Sequence, residues 1–348
     1  FTWDDPLEIE HQLSEDERLI RDTARAYATD KLQPRIVEAY REEKTDPAIF
    51  TEMGEIGLLG VTVSPEYGGV GANSTAYGLV AREIERVDSG YRSMLSVQSS
   101  LVMHPIESFG TEEQKQAFVS PTINAEIIWC QGYSEPGAGS DLAGLQSKGE
   151  DMGDHFIANG QKVWTSYGDK ADWMFCLLRT DTEAKKQMGI SLVLFDMETP
   201  GVTPKPIKLI SGSSPFCETF LDDVRVEKDQ VVGEVNHGWT IAKYLLTHER
   251  EMIGGMGAAV VGGESLSQHA SQVMGLEQGR MNNPILRADV ATWEIDAACF
   301  GLTAERVTDE VKSGQGVGAT SAMLKYYGTE LNKRRFETLL KINGSDGI

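Results

Sequence analysis

The sequence predicts an α+β fold in which a helical bundle, a β-barrel-like middle region and a second helical bundle follow one another. Helical periodicity runs to about residue 125, short apolar runs at close spacing occupy 127–232, and helical periodicity returns over 237–343. A chain of 348 residues with 40% apolar content can fill two or three packed units. We therefore predict domains at 1–125, 126–234 and 235–348.

The first predicted helix begins at Ser14, whose hydroxyl can cap it while Glu17, three residues later, completes a capping box. Further apolar-periodic segments are separated by glycine-rich or proline-containing breaks such as Gly68-Gly69. These segments span 47–59, 75–87, 91–103 and 112–119. Together they predict a helical bundle.

The middle region carries a hairpin signal at Asn159-Gly160, because both residues tolerate the positive φ of a type I′ turn and apolar runs flank them. Strand-like runs continue over 173–178, 190–195 and 216–226. We therefore expect a compact β unit with a two-residue turn at Asn159-Gly160.

The charge balance excludes one class of partner. The net charge of −21, from 32 basic and 53 acidic residues, would repel a nucleic-acid backbone. No apolar run approaches the roughly 18 residues of a membrane helix, and the four scattered cysteines suggest neither a zinc site nor a disulfide framework. We expect no membrane partner and a reducing compartment, the bacterial cytoplasm or the mitochondrial matrix.

Small residues around Gly139 and Ser140 permit close approach of backbone N–H groups to an anionic or planar ligand, although ordinary turns use the same residues. The indole of Trp164 with the hydroxyls of Thr165 and Ser166 offers a flat apolar wall and hydrogen-bond donors, which an isoalloxazine ring needs. A buried core tryptophan is the alternative.

The run from Tyr133 to Asp141, taken with Trp164 to Ser166, resembles the paired motifs of the acyl-CoA dehydrogenases, and the resemblance covers essentially the whole chain. It implies FAD as cofactor, an acyl-CoA substrate oxidised to its 2-enoyl product, an electron-transferring flavoprotein as partner, and a homo-oligomer, dimer or tetramer. The residue matching Ser140 lies near the flavin and the thioester. The flavin-lining residues of that family match Gln131, Tyr133, Ser134, Trp164 and Ser166.

Desaturation of a thioester needs a base for the α proton, and a buried carboxylate suits that task because burial raises its pKa. Glu249 falls in the apolar stripe of the helix after Trp239, although its head can instead reach water at the stripe's edge. Some members of the resembled family carry their base on this helix directly before an arginine, as in Glu249-Arg250, which makes Arg250 a candidate substrate contact. Most carry it near the C-terminus, in a region that would lie beyond Ile348.

The run around Arg92 and Ser93 resembles the glutaryl-CoA dehydrogenases, in which the matching arginine holds the distal carboxylate of the substrate and the matching serine assists. A guanidinium fork suits a carboxylate. The alternative is a surface arginine that pairs with Glu85.

Residues 1–120 are most similar to glutaryl-CoA dehydrogenase, whereas 121–348 resemble other bacterial acyl-CoA dehydrogenases. A chimaeric sequence and a divergent enzyme that keeps the Arg92 pocket both account for this. The FAD-contacting run Arg-x-x-Phe-Gly of many members is absent from 275–283, and a final helical segment is expected to be missing after Ile348. Glutaryl-CoA dehydrogenase, an acyl-CoA oxidase and a non-catalytic scaffold of the same fold remain the alternatives.

Overall fold

A computed structural model describes residues 9–246, 265–313 and 320–347. The chain divides into two compact units, Phe1–Leu245 and Leu246–Ile348. The first unit contains a set of helices followed by a mixed β-sheet and the start of a further helix, and the second is helical. The predicted order of helical, β and helical regions is therefore confirmed.

The helices of the first unit are α1 (Glu15–Tyr27), α2 (Ile36–Glu42), α3 (Ala48–Glu55), α4 (Ser74–Glu85), α5 (Ser89–Ser96), α6 (His104–Phe109), α7 (Glu112–Ile123) and α8 (238–246). Within the described residues, every one of them except α2 buries apolar side chains. The predicted capping box starts α1: Ser14 Oγ accepts a hydrogen bond from Glu17 N at 3.2 Å, and the Glu17 carboxylate accepts one from Ser14 N at 2.7 Å. A π-helical turn at Val97–Met103 connects α5 to α6.

The sheet has the order β6-β7-β3-β2-β4-β5-β8, and β1 pairs with β4. Its strands are β1 (Trp129–Gly132), β2 (Lys148–Asp151), β3 (His155–Ser166), β4 (Trp173–Arg179), β5 (Ile190–Asp196), β6 (Val202–Ile207), β7 (Phe216–Glu227) and β8 (Val231–Val232). Inward side chains such as Phe156, Met174, Val193 and Val224 form its core. The strand predictions for 173–178, 190–195 and 216–226 agree closely with β4, β5 and β7.

The predicted hairpin at Asn159-Gly160 is wrong, because both residues lie inside the continuous strand β3. Asn159 exchanges two hydrogen bonds with Asp223 on β7, each 2.9 Å long. Gly160 is needed for close packing rather than for a turn, since a Cβ there would lie 2.2 Å from Ser147 Oγ. The chain turns instead at Gly153, whose φ is +98°, between β2 and β3.

Two buried glutamines attach the helices to the sheet. The side chain of Gln98 accepts from Trp129 N at 3.0 Å and donates to Trp129 O at 3.2 Å, so it mimics a paired strand beside β1. The Gln114 amide on α7 donates to Asp229 O at 2.6 Å and to Val231 O at 2.9 Å. Buried amides placed in this way satisfy backbone groups that water cannot reach.

The second unit contains α9 (Leu266–Met274), α10 (Pro284–Lys312) and α11 (Thr320–Asn343). Trp293 Nε1 on α10 donates to Leu331 O on α11 at 2.8 Å, and both residues belong to the unit's apolar core. Within the described residues, no helix is both long and apolar enough to cross a membrane.

Gly69 and Gly78 form a matched pair for a stability test. A Cβ at Gly69 would lie 2.1 Å from Val63 O, whereas one at the exposed Gly78 on α4 would meet no described atom within 4 Å. We expect Gly69→Ala to lower stability by about 1–3 kcal/mol through overpacking, and Gly78→Ala to raise it by up to about 1 kcal/mol through helix propensity. Thermal unfolding followed by circular dichroism measures both, and equal effects of the two substitutions would contradict the packing.

Candidate functional site

The turn after β1 presents backbone to open space. Glu135 and Ala138 close it with reciprocal backbone hydrogen bonds of 3.0 Å. A Cβ at Gly137 or Gly139 would meet no described atom within 4 Å, and Gly139 and Ser140 are exposed. Pro136 has no N–H, and those of Glu135 and Ala138 bond to each other, so the N–H groups of Gly137, Gly139 and Ser140 are the candidates to meet an anionic or planar ligand.

Trp164 lies in a β-bulge of β3, directly after Val163, whose N–H donates to Ser134 O just before this turn. Between the pairs Lys162–Thr219 and Thr165–Cys217, β3 has one more residue than β7. Trp164 has a φ of +60°, and 59% of its surface is exposed. A bulky residue in the left-handed region costs of order 1–3 kcal/mol, and strained residues of this kind cluster at functional sites. Trp164 is therefore a surface indole, and the alternative of a core tryptophan is wrong.

The hydroxyls of Thr165 and Ser166 lie on opposite sides of β3. Thr165 is fully buried, and Thr219 Oγ1 donates to its Oγ1 at 3.3 Å. Ser166 is exposed, as Trp164 is. Side chains alternate along a strand, so Thr165 can contribute only backbone groups on the exposed side.

The segment 131–134 runs beside this part of β3. Val163 N donates to Ser134 O at 2.9 Å, which places the half-buried Ser134 next to the residue that precedes Trp164. Gln131 on β1 is half-buried, and Tyr133 is buried with its ring edge-on to Phe175 at 5.7 Å. The structure therefore brings Ser134, Trp164, Ser166 and the Gly139 turn to adjoining segments of one sheet.

A buried ion pair underlies these segments. Lys162 Nζ and Glu135 Oε1 lie 2.8 Å apart, with the lysine side chain fully buried and the glutamate side chain 6% exposed. Burial by itself would raise the pKa of Glu135, but the Lys162 charge and the N–H donors of Gln146 and Ser147 hold that pKa below its ordinary value. Glu135 is therefore an ionised structural carboxylate at neutral pH.

Arg92 on α5 is also buried, with 5% of its surface exposed. Its Nε donates to the Glu85 carboxylate at 2.6 Å across the turn between α4 and α5, and its Nη1 lies 3.5 Å from Ser96 Oγ. Tyr77 continues this polar network, since its hydroxyl donates to Ser96 at 3.2 Å. The pairing with Glu85 is thus present, but its arginine is buried rather than on the surface, whereas Glu85 is half-buried and Ser93 is exposed.

Glu249 and Arg250 lie outside the described residues, so their predicted roles stay predictions. The residues that sequence reasoning missed are Glu135, Lys162 and Ser96. Ser96 had a signal, since it follows Arg92 by one helical turn. Glu135 and Lys162 are far apart in sequence, so neither carried a local signal of their pairing.

Three family models match the chain in succession: the acyl-CoA dehydrogenase N-terminal domain over residues 14–126, the middle domain over 130–224 and the C-terminal domain over 236–348. Acyl-CoA dehydrogenase FadE29 of Mycobacterium tuberculosis is 30% identical over 340 residues, which cover 96% of this chain and 86% of that protein. The chain belongs to the acyl-CoA dehydrogenase family. The acyl-CoA dehydrogenase fold predicted from the sequence is confirmed.

Two further proteins are similar to this acyl-CoA dehydrogenase family member over two thirds or more of its length. FadE34 of Mycobacterium tuberculosis is 37% identical over 240 residues, which cover 69% of this chain, and the chain spans only 33% of the length of FadE34. A glutaryl-CoA dehydrogenase from Mycobacterium smegmatis, solved in complex with FADH2, has a TM-score of 0.79 and 27% identity, covering 98% of this chain and 87% of that one.

The residues of this family member fit a flavin. Open space lies where a Cβ would project from Gly137 or Gly139, and the indole of Trp164 is exposed on the neighbouring strand. The exposed Ser166 hydroxyl and the half-buried Ser134 add hydrogen-bonding groups on neighbouring segments. A planar, polar-edged ring system needs this combination.

The lowered pKa of Glu135 makes a testable contribution to acid stability. A carboxyl group with a depressed pKa in the folded state stabilises the fold above its ordinary pKa, and this stabilisation is lost as pH falls through the folded-state value. We expect the unfolding temperature of the wild type to fall, relative to that of Glu135→Gln/Lys162→Met, as pH decreases from 7 to about 3. Parallel pH curves for the two proteins, measured by calorimetry, would contradict the assignment.

Proposed function

We propose that this chain is an FAD-dependent acyl-CoA dehydrogenase that oxidises an acyl-CoA thioester to its 2-enoyl-CoA. The observation that carries the proposal is the exposed, strained Trp164 and the open positions at Gly137 and Gly139, on segments of the middle domain that the Val163 N to Ser134 O hydrogen bond joins. Strain retained at a surface aromatic position is consistent with a ligand that uses the indole face.

The chain's own residues would then position and polarise the reactants. Trp164, Ser166, Ser134 and Gln131 would hold the ring system, and Ser140 would lie near the thioester. Hydrogen-bond donors around Ser140 would stabilise the negative charge that develops on the thioester oxygen as the α proton leaves. FAD, when bound, supplies the acceptor for the hydride lost from Cβ.

Glu249 is the proposed base for the α proton. A carboxylate inside an apolar helix face has a raised pKa, which brings it closer to the working pH of a general base. Arg250, the next residue, is the proposed substrate-side contact.

The family membership supports three further proposals. Electrons would pass to an electron-transferring flavoprotein, the chain would assemble as a dimer or tetramer, and the protein would work in the bacterial cytoplasm or the mitochondrial matrix. The net charge of −21 makes local hydrogen-bond donors, such as the backbone N–H groups of Gly139 and Ser140, important for any anionic CoA ligand.

Anaerobic titration of the purified yellow protein with a panel of acyl-CoAs tests the reaction. We expect flavin absorbance to bleach with the preferred acyl-CoA and the bleaching rate to fall by at least about 100-fold in Glu249→Gln, the loss typical of a missing general base. Glu251→Gln is the matched control, because the sequence periodicity predicts that Glu251 falls off the apolar face that includes Glu249. Undiminished bleaching in Glu249→Gln would disprove the base assignment, and a colourless protein that takes up no FAD would favour the non-catalytic scaffold. Peroxide formed under air would identify an oxidase.

A second candidate function is glutaryl-CoA dehydrogenase, favoured by the buried Arg92. A desolvated guanidinium binds a carboxylate far more strongly than an exposed one does. In the described residues Arg92 already pairs with Glu85, which leaves the pair formally neutral. A dicarboxylyl substrate would therefore have to share the guanidinium with Glu85.

Product analysis with glutaryl-CoA decides this candidate. We expect release of carbon dioxide from the wild type and a loss of at least about tenfold in kcat/KM on Arg92→Leu, because a charge-assisted pair contributes about 1.5–3 kcal/mol. Arg82→Leu, a change at an exposed arginine on α4, is the control. If Arg92→Leu lowers turnover of glutaryl-CoA and butyryl-CoA equally, Arg92 is structural and the candidate fails.

A further inference from the structure

Lys162 uses all of its hydrogen-bonding capacity inside the sheet. Its ammonium donates to Glu135 Oε1 at 2.8 Å, to Leu177 O at 2.7 Å and to Tyr133 O at 3.3 Å. An ammonium has three donors and no acceptor. One fully buried side chain therefore joins β3, β4 and the segment that leads from β1 into the Gly139 turn.

Glu135 connects the two ends of the loop that runs from residue 135 to residue 147. Its carboxylate accepts from Gln146 N at 2.6 Å and from Ser147 N at 2.9 Å, in addition to the bond from Lys162. Residue 135 opens the loop and residues 146 and 147 close it, so one carboxylate ties both ends together. Gly139 and Ser140 lie inside this loop.

Each backbone group that contacts Lys162 or Glu135 needs a partner of one kind, either a donor or an acceptor. The carbonyls of Tyr133 and Leu177 need a donor, whereas the N–H groups of Gln146 and Ser147 need an acceptor. An apolar pair of the same size can match an ion pair in fold stability, but it cannot satisfy these backbone groups. The ion pair therefore determines the shape of the loop beyond what packing alone would fix.

We propose that Lys162 and Glu135 are positioning residues that hold the Tyr133–Ser134 segment and the loop 135–147 in the shape that receives the flavin. This inference rests on the proposed FAD function. Lys162 lies two residues before Trp164, and Glu135 directly follows Ser134. Any displacement of the pair would consequently move both walls of the proposed site.

The charge-free double variant Glu135→Gln/Lys162→Met tests the proposal without leaving a single buried charge. We expect its FAD dissociation constant, measured by flavin fluorescence titration of the apoprotein, to rise by at least about tenfold. We expect hydrogen exchange at the amides of Gln146 and Ser147 in the apoprotein to accelerate by a similar factor, because each loses a charge-assisted hydrogen bond. If the double variant does not fold, Glu135→Asp keeps both charges, shortens the reach by one methylene and should show the same two changes.

Two controls separate positioning from general stability. Asp151→Asn/Lys228→Met removes a more exposed ion pair, 2.6 Å long, from the same domain and should leave FAD affinity unchanged. Val193→Ala weakens the buried core of the same sheet and should lower the unfolding temperature without weakening FAD binding by tenfold.

Wild-type affinity for FAD and wild-type exchange rates in a folded double variant would overturn the proposal. A drop in affinity that Val193→Ala reproduces would also overturn it, because the effect would then follow stability alone. If the wild type itself takes up no FAD, the proposed function fails, whereas the exchange rates at Gln146 and Ser147 still decide whether the pair holds the loop.

Discussion

The ammonium of Lys162 lies where no water can solvate it, so the chain around it must supply every partner. Those partners are the Glu135 carboxylate and two main-chain carbonyls, and the carboxylate in turn fixes two main-chain N–H groups. Breaking one side of such a pair costs about 3–5 kcal/mol. The ion pair therefore fixes the positions of β3, β4 and the loop 135–147 relative to one another, next to the proposed cofactor site.

The strain at Trp164 depends on this rigidity. A non-glycine residue with positive φ persists only where its surroundings over-determine the backbone. On one side, Val163 bonds to Ser134 and Lys162 is anchored in the interior; on the other, Thr165 is buried against Thr219. Strict alternation along β3 would bury the Trp164 indole, and the bulge turns it towards the exposed side instead.

The sequence predicted secondary structure correctly where the conformation of a segment depends on residues close to it in the chain. The capping box at Ser14 and the strand over 173–178 are of this kind, since each depends on neighbouring residues alone. The hairpin prediction at Asn159-Gly160 was wrong because residues outside this dipeptide decide its conformation. Asn159 bonds to Asp223 on β7, and Gly160 packs closely against Ser147. The pairing of Lys162 with Glu135 was invisible for the same reason.

The identity of Arg92 and its surroundings in the structure bear on its function in different ways. The resemblance to glutaryl-CoA dehydrogenases rests on residue identity, whereas the chemistry of a guanidinium depends on which acceptors already surround it. Glu85 lies 2.6 Å from Arg92 Nε and is only partly buried, so its charge can be screened or displaced more readily than that of Arg92. In the proposed role of Arg92, Glu85 would matter as much as Arg92 itself: a retained Glu85 charge would favour a neutral acyl chain, and a displaced one would admit a carboxylate.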